Sequence, residues 1–282
     1  MTVKNEYGKL RSVLLCKPAY FALQPINVIA EGFIREGALP HHDKVLREHE
    51  GFAQVLAEAG IEIVWVDADP KFPYQVFTRD VGVSTPRGVL LGTFRESVRQ
   101  GEEACAEVAL NGHVPMWRRV EHGPGIAFEG GDYMYIDEGH VALGSGARTT
   151  LEAAKRLHSF EAELGIEIIT VQFDPKFLHL DMIFCVLSER VCTICKEALP
   201  DSFLKRVEGW GFETIEVPPE GVFQLNCNLL ALDVGIVLSP ARNSDVNARL
   251  KALGFEVVEV ELAELLKGGG GPHCMSFPIK RD

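Results

Sequence analysis

The chain has 282 residues, of which 46% are apolar, and a formal net charge of −12. Its 28 Lys and Arg residues are scattered, which argues against a nucleic-acid or anionic-membrane surface. No run approaches the roughly 18 apolar residues of a membrane span, and the N-terminus shows no secretory signal. An odd count of seven Cys then predicts free thiols in a reducing cytoplasm.

Helices and strands are predicted to alternate along the chain, which indicates a mixed α/β fold. A strand is predicted at 12–18, a helix at 43–59 that ends at Gly60, and a strand at 61–67. The segment 19–40 shows no clear period and is predicted to be a loop, with a lid as one interpretation. The later helices are predicted at 100–110, from Thr149, at 201–208 and from Asn243. The last strand is predicted at 275–279.

The same structural unit recurs five times. Each copy has a helical stretch, a Gly, an extended run rich in β-branched residues, a loop and a second extended run. The residues that open the second runs are Asp80, Glu129, His179, Asn226 and Cys274, separated by 49, 50, 47 and 48 residues. This period predicts repeated supersecondary units, and we expect a five-bladed α/β propeller in a single domain over 1–282. The alternative is an ordinary open α/β sheet.

Cys274 is the predicted nucleophile, since five inward strands would gather a thiol, an imidazole and two acids around one axis. It follows four consecutive glycines, 268–271, and a Pro-His pair. Such a run is typical of close backbone approach to a ligand, and its amides are expected to help lower the thiol pKa. The alternative is a buried small hydrophobe. Cys192 and Cys195 form a CxxC inside a strand-like run without a second ligand pair, which disfavours zinc.

His179 is the predicted general acid and base. Its neighbours in FLHLDM are apolar, which predicts burial, and on a strand His179 and Asp181 would share one face. A buried His with a carboxylate neighbour can donate and accept protons. A satisfied core histidine is the alternative, but the repeat places His179 opposite Cys274 and favours catalysis.

Two further acids complete the predicted centre. Glu129 precedes two glycines in FEGGD, where we expect something to approach the backbone closely. Asp80 ends the motif FTRD. Neither acid has an obvious helical salt-bridge partner, and a surface turn is the alternative for each. Asp132 allows two interpretations, a site residue or a cap of the local loop.

Two arginines are candidates for binding a substrate carboxylate. Arg148 follows GSGA at the end of a hairpin, and Arg95 stands at the corresponding place one unit earlier. The planar fork of a guanidinium suits a carboxylate. An ordinary surface arginine is the alternative for both. No phosphate loop, dinucleotide fingerprint or HExxH motif is present.

Together these motifs resemble the guanidine-modifying enzyme superfamily, also called the pentein fold. It includes arginine deiminases, dimethylarginine dimethylaminohydrolases and amidinotransferases. The resemblance rests on FTRD with Asp80, FEGGD with Glu129, SGARTT with Arg148, HLD with His179 and Asp181, and GGGGPHCMS with Cys274. These motifs span nearly the whole chain in the expected order. The resemblance implies a five-bladed α/β propeller with the active site on its axis.

The resemblance also implies a mechanism that needs no metal or other cofactor. Cys274 would attack the guanidinium carbon of arginine or a close guanidino compound to give a covalent thiouronium. His179 would protonate the departing amine and then activate water, which releases a ureido product such as citrulline. Asp80 and Asp181 would grip the guanidinium N–H groups, and Glu129 would orient His179.

Substrate choice within the superfamily is indicated by Asp181. Dimethylarginine hydrolases usually have Lys after His-Leu, so Asp181 favours an unsubstituted guanidine and an arginine deiminase-like amidinohydrolase. Asn27, in a segment resembling the N-terminal loop of cyanobacterial arginine dihydrolases, would replace a substrate contact that the family usually takes from an Asn before FTRD. The alternatives are an amidinotransferase, a dimethylarginine hydrolase and a non-catalytic binding protein. The expected partner is a small cationic guanidino substrate, and a homo-oligomer is compatible with the sequence.

Overall fold

The strands of the protein form five separate three-stranded sheets. The computed structural model describes residues 3–282, so the first two residues of the predicted domain lie outside the described residues. In every sheet the inner strand pairs antiparallel with the middle strand, and the middle strand pairs parallel with the outer strand. The predicted five-unit α/β architecture is confirmed.

The elements follow the predicted order, with boundaries shifted by a few residues. The strands are β1 (Leu10–Cys16), β2 (Glu62–Val66), β3 (Gly82–Thr85), β4 (Gly88–Leu91), β5 (Met116–Arg119), β6 (Tyr133–Tyr135), β7 (His140–Ser145), β8 (Glu167–Gln172), β9 (Phe184–Val186), β10 (Val191–Ile194), β11 (Glu213–Glu216), β12 (Leu230–Asp233), β13 (Ile236–Pro240), β14 (Glu256–Val260) and β15 (Phe277–Arg281). The helices are α1 (Val28–Arg35), α2 (His42–Glu58), α3 (Glu102–Leu110), α4 (Leu151–His158), α5 (Glu161–Leu164), α6 (Asp201–Gly209), α7 (Pro219–Val222) and α8 (Ser244–Ala252).

Written from the inner strand outward, the first to fifth sheets are β15–β1–β2, β3–β4–β5, β6–β7–β8, β9–β10–β11 and β12–β13–β14. Neighbouring sheets contact one another around a ring. The inner strand β15 contacts β3, β6 contacts β9, and β1 contacts β12. Short 3-10 helices at Thr78–Val81 and Gly130–Asp132 join the second and third sheets. Between the fourth and fifth sheets, the Thr193 hydroxyl donates to the carbonyl of Cys227 at 3.0 Å. The first sheet combines β1 and β2 with the C-terminal β15, so pairing of the two chain ends closes the ring.

Helices pack on the sheets through one apolar face each. In α2 the buried residues include Val45, Phe52 and Leu56, which belong to the same core cluster as Val13 and Leu15 of β1. The predicted start of α4 is confirmed, because the Thr150 hydroxyl accepts the N–H of Ala153 at 3.2 Å as an N-terminal cap. No helix of residues 3–282 is long and apolar enough to cross a membrane.

The prediction of a loop over 19–40 was wrong in part, because this segment contains α1. The side chain of Asn27 caps the helix by accepting the N–H groups of Ile29 and Ala30 at 3.1 and 2.9 Å, and Glu31 lies in the first turn. A cap and an early acid are the ordinary start signals of a helix. The aromatic and Gly content of the segment masked them.

Gly130 lies where the second and third sheets meet. A Cβ atom at this position would come within 2.0 Å of the Gly82 carbonyl oxygen and 2.2 Å of the Arg79 carbonyl oxygen. Both neighbours are backbone, so neither can move aside cheaply. The sequence-based expectation of close approach at FEGGD is therefore explained by backbone packing as well as by the site described below.

We expect Gly130→Ala to lower the free energy of unfolding by at least about 2 kcal/mol, measured by urea denaturation. Gly209→Ala is the matched control, because a Cβ there would have no atom of residues 3–282 within 4 Å apart from its chain neighbours and its own helix, and Gly209 ends α6. That control should be neutral or stabilising, since Ala has the higher helix propensity. Equal stability of both variants would contradict this account of the sheet junction.

Candidate active site

Polar residues lie just before the inner strands of several sheets, near the centre of the ring. Asp80 lies in the 3-10 helix that precedes β3, Glu129 directly precedes the one before β6, and His179 directly precedes a 3-10 helix at Leu180–Met182 before β9. The sequence predicted that His179 and Asp181 share one face of a strand. This prediction was wrong, because both residues lie at a 3-10 helix. The 3-10 turn instead aims His179 at Glu129 and Asp181 at Cys274.

Cys274 is held by a side chain that the sequence analysis did not assign to the site. The amide oxygen of Asn228 accepts the N–H groups of Gly271 and Cys274 at 3.0 and 3.2 Å. Its amide nitrogen donates to the Cys274 sulfur at 3.0 Å. Asn228, and not the half-buried Asn226, is thus the fifth-sheet residue in contact with the thiol. Aligning LNCN with LHLD places Asn228 opposite Asp181, and this register was the available signal.

The glycine run lets the Cys274 loop fold tightly against its neighbours. A Cβ on Gly270 would lie 2.5 Å from the Phe77 ring and 3.0 Å from the Cβ of Cys274. The loop is also fixed from the other side, because the N–H of Arg79 donates to the carbonyl of Cys274 at 3.0 Å. The thiol is consequently placed by backbone and amide contacts from the loops before β3 and β12, which belong to two other sheets.

The Cys274 thiol is flanked by carboxylates. Its sulfur donates to Oδ2 of Asp181 at 3.2 Å. Burial raises the pKa of the thiol well above its usual value, and the charges of Asp181 and Asp80 raise it further. The backbone N–H of Gly271 lowers the thiol pKa, as the glycine run suggested, but this effect is smaller than those of burial and the two carboxylates. The expectation of a lowered thiol pKa is therefore wrong for the protein without substrate.

His179 forms a buried pair with Glu129. Its Nε2 lies 2.9 Å from Oε2 of Glu129, and its Nδ1 lies 3.7 Å from Oδ1 of Asp80. Burial opposes the imidazolium charge, but Asp80 and the hydrogen bond with Glu129 raise the pKa of His179 to about 9. Burial likewise opposes ionisation of Glu129, while Arg148 and His179 lower its pKa. At neutral pH the pair is thus an imidazolium and a carboxylate.

The backbone leaves room for this ring because residue 131 is a glycine. A Cβ on Gly131 would lie 2.9 Å from Cγ of His179 and 2.8 Å from Oδ1 of Asp80. The second glycine of FEGGD therefore serves the imidazole. The adjacent Asp132 acts as a loop anchor, because its two oxygens accept the N–H groups of Leu180 at 2.9 Å and Thr149 at 3.1 Å.

Arg99 is a second buried residue that the sequence analysis missed. Its Nη1 donates to Oδ2 of Asp80 at 2.6 Å, and its Nη2 donates to Oε2 of Glu102 at 2.8 Å. Its guanidinium carbon lies 4.3 Å from the centroid of the Phe94 ring. Burial raises the pKa of Glu102 to about 7, although Arg99 acts against the rise. The only sequence signal was an Arg and a Glu three positions apart.

The predicted carboxylate-binding residues take different places. Arg148 is buried, with Nη2 donating to the Ile26 carbonyl at 2.6 Å and Nη1 lying 3.5 Å from Oε2 of Glu129. The side chain of Arg95 is exposed, and only its N–H reaches the site, donating to Oε1 of Glu129 at 3.1 Å. Asn27 caps α1 and donates to the Gly268 carbonyl at 2.9 Å. The structure brings Arg148 and Asn27 to the site, but not the side chain of Arg95.

These residues and their neighbours line a narrow cavity. Its lining consists of Ile26, Asn27, Tyr74, Phe77, Asp80, Arg99, Arg148, Leu178, His179, Gly268, Gly269, Gly270 and Cys274. Three buried polar atoms around the thiol have no hydrogen-bond partner among the described residues: Oδ1 of Asp80, Oδ1 of Asp181 and Nδ1 of His179. Unpaired buried acceptors are costly, so two of these atoms are ready to accept N–H donors from a ligand.

The same centre contains the one group of acids and imidazoles within residues 3–282 that could offer ligand atoms to a cation. Atoms of Asp80, Glu129 and His179 lie within 4.8 Å of one another. Asp80 and Glu129 already have Arg99 and Arg148 as partners. The arrangement therefore suits an organic cation with several N–H donors better than a metal ion, which would compete with two arginines.

Known proteins resemble this chain over nearly its whole length. A model of the family described as "N,N dimethylarginine dimethylhydrolase, eukaryotic" matches residues 17–281. The uncharacterized protein YkgA of Bacillus subtilis is 30% identical over 99% of this chain and 94% of its own length. The arginine deiminase of Bacillus cytotoxicus is 30% identical over 76% of this chain, which spans 63% of that protein.

Solved structures share the fold. The N-terminal domain of ArgZ, an arginine dihydrolase from the ornithine-ammonia cycle in cyanobacteria, superposes with a TM-score of 0.85 at 23% identity, over 97% of this chain and 98% of that domain. The family match and the shared architecture agree with the buried thiol, imidazole and carboxylates at the axis. The chain therefore belongs to the guanidine-modifying, or pentein, superfamily, as a guanidino-group hydrolase of the dimethylarginine hydrolase family.

Proposed function

We propose that the protein hydrolyses the unsubstituted guanidinium group of arginine, or of a close guanidino compound, to a ureido product such as citrulline and ammonia. The observation that carries the proposal is the arrangement around Cys274. Two buried carboxylate oxygens that have no hydrogen-bond partner within residues 3–282, on Asp80 and Asp181, lie near a thiol and an imidazolium. A guanidinium is a planar cation with several N–H donors, so it fits both the charge and the hydrogen-bonding needs of this group.

Binding prepares the nucleophile. The thiol is protonated in the substrate-free site because burial and two carboxylates raise its pKa. A guanidinium held between Asp80 and Asp181 places a positive charge beside the sulfur and offsets those carboxylates, so the pKa of Cys274 falls. The thiol then releases its proton to solvent, where the ammonia formed later can take it up. The thiolate then attacks the guanidinium carbon.

His179 serves both half-reactions. As an imidazolium it protonates the departing nitrogen, which leaves as ammonia, and a thiouronium remains on Cys274. The neutral imidazole then takes a proton from water, and the hydroxide adds to the same carbon. Collapse of this adduct breaks the C–S bond and frees the ureido product, while the hydroxyl proton of the adduct passes to the departing sulfur. The thiol and the imidazolium of the resting site are thereby restored. Glu129 holds the imidazole throughout, and no step requires a metal ion.

Hydrolysis of dimethylarginine is the second candidate, because the matching family model carries that description. Against it stands Asp181, where dimethylarginine hydrolases usually have Lys. Methyl groups would also replace N–H donors that the unpaired oxygens of Asp80 and Asp181 can accept. Transfer of the amidino group to an amine would use the same residues, and product analysis with and without an added amine acceptor separates the two outcomes.

We expect Cys274→Ser to lower kcat/KM by a factor of about 10³ or more, because a hydroxyl lacks the nucleophilicity of a thiolate. Mass spectrometry of rapidly quenched wild-type protein should find the amidino adduct on the Cys274 peptide. Cys105→Ser is the control, since Cys105 lies on α3 and outside the cavity. Substantial turnover by Cys274→Ser would refute the covalent mechanism.

The pH dependence of kcat/KM should report the His179–Glu129 pair. The imidazolium exists below its pKa of about 9 and is lost as the pH rises through that value, so we expect activity to fall there. Glu129→Gln removes an anion that raises this pKa, and the alkaline limb should move down by about one unit or more. Glu163→Gln, at an exposed acid, should leave the limb in place. If the alkaline limb of the kcat/KM profile stays at the same pH in Glu129→Gln, His179 is not the general acid.

Substrate choice is tested by kcat/KM for arginine, agmatine and asymmetric dimethylarginine measured side by side. We expect arginine to exceed both, because it keeps every N–H donor and carries a carboxylate that Arg148 can meet. Arg148→Gln should raise KM for arginine far more than for agmatine. A clear preference for dimethylarginine would overturn the role given to Asp181, and a clear preference for agmatine would overturn the role given to Arg148.

A further inference from the structure

The residue next to the nucleophile, His273, does not line the cavity but lies behind Asp181. It is buried, with 2% exposure. Its Nδ1 lies 2.8 Å from Oδ2 of Asp181, the same oxygen that accepts the Cys274 thiol at 3.2 Å. One carboxylate oxygen is therefore shared between the imidazole and the thiol. The other oxygen, Oδ1, has no partner among the described residues.

Glu6 faces the far side of the same imidazole. Its Oε2 lies 3.6 Å from Nε2 of His273 and 3.8 Å from Nη1 of Arg79. Its Oε1 accepts the N–H of Tyr135 at 3.2 Å, which anchors the carboxylate to the third sheet. Burial opposes ionisation, but His273 and Arg79 lower the pKa of Glu6 to about 2. A fixed negative charge from the segment before β1 therefore stands against the ring.

The backbone of His273 is fixed as well. Its carbonyl accepts the hydroxyl of Ser276 at 3.1 Å and Nε of Arg79 at 3.4 Å. The held backbone and the 2.8 Å bond from Nδ1 to Asp181 set the plane of the imidazole. Nε2 then faces the Glu6 carboxylate at 3.6 Å, an electrostatic contact, and has no hydrogen-bond partner among the described residues. The direction of its bond to Asp181 is set with it, and this bond leaves Oδ1 as the oxygen that stays available.

We propose that His273 and Glu6 are positioning residues that form a relay, Glu6–His273–Asp181, behind the Cys274 thiol. The relay deepens the proposed hydrolysis and rests on it, but neither residue touches substrate. The hydrogen bond from His273 draws part of the negative charge of Oδ2, so that oxygen holds the thiol proton less tightly. Without that bond, the carboxylate would bind the thiol proton more strongly and would be free to rotate away from the guanidinium.

Two amide substitutions separate the halves of the relay. In His273→Asn the side-chain nitrogen takes a position close to that of Nδ1 and keeps a donor to Asp181. In His273→Gln the amide reaches toward Glu6 and leaves Oδ2 without that donor. We expect His273→Gln to lower kcat by about 10-fold or more, with KM changed by less than about 3-fold, since Asp181 can still pair with the substrate. His273→Asn should recover much of this loss.

Glu6→Gln tests the far end of the relay. It should lower kcat in the wild-type background and add no further loss to His273→Gln, because both changes act through the same bond. Glu161→Gln is the matched control. Glu161 also accepts a backbone N–H, from Ile168 at 2.7 Å, and also pairs with an imidazole, His158 at 3.0 Å, but it does not border the cavity. Additive losses, or a kcat loss in Glu161→Gln, would overturn the relay.

A second measurement needs no turnover and keeps the relay testable if the substrate assignment fails. The rate of Cys274 alkylation by iodoacetamide at neutral pH, followed by mass spectrometry of the Cys274 peptide, should fall in His273→Gln and in Glu6→Gln, and less in His273→Asn. Unchanged or faster alkylation in the first two variants, with unfolding midpoints like that of the wild type, refutes the relay. The expected order of rates in a protein that converts no guanidine refutes the proposed function and leaves the relay standing. If His273→Gln does not fold, Glu6→Gln and His273→Asn carry both measurements.

Discussion

Buried negative charge around one thiol is the constraint on which the site depends. Asp80, Glu129 and Asp181 are each at most 3% exposed. Asp181 and Asp80 act directly on Cys274, and Glu129 acts on His179. A buried carboxylate costs several kcal/mol unless it is paired and hydrogen-bonded. Each of the three has a nitrogen partner close by: Arg99 at 2.6 Å from Asp80, His179 at 2.9 Å from Glu129 and His273 at 2.8 Å from Asp181. Against the effect of burial, the charged partners of Glu129 and Asp181 lower the pKa of those two acids. Burial together with Asp181 and Asp80 in turn raises the pKa of the thiol.

The fold supplies such pairs because every sheet contributes a loop at the axis, and the loops are tied to one another. Asp132 shows how. It joins the loop of His179 to the loop of Arg148 by accepting one backbone N–H from each. Burial raises the pKa of Asp132 to about 6. The donors that hold this acid in place are uncharged backbone N–H groups. Gly144 makes room for it, since a Cβ there would lie 2.4 Å from Oδ1 of Asp132. The positions of the side chains around the thiol therefore depend on residues that do not contact it, such as Asp132 and Gly144.

The repeat explains which residues the sequence could predict. Glu129 and His179 stand just before short 3-10 turns that lead into inner strands, so a regular spacing is enough to bring them to the axis. Arg99 and Glu6 lie outside this pattern, one after a middle strand and the other before β1. The repeat does not predict these two residues, because each depends on charged neighbours that only the folded chain brings close. Arg99 pairs with Asp80, and Glu6 faces His273 and Arg79. His273 stood in a quoted motif, but its direction was not readable, since a residue next to a nucleophile can face the cavity or the core.

The proposed reaction uses the same charges for binding, activation and release. A guanidinium between Asp80 and Asp181 meets two acceptors that lack hydrogen-bond partners in the described part of the chain, and it lowers the pKa of Cys274 only while it is bound. Without a cation the thiol stays protonated, which protects it from electrophiles and oxidants because the thiolate is the reactive form. A ureido product is neutral, so it no longer balances the two carboxylates and loses its ion pairs. The carboxylates that keep the substrate-free thiol unreactive thus also favour departure of the product, and an arginine that arrives next restores the reactive state.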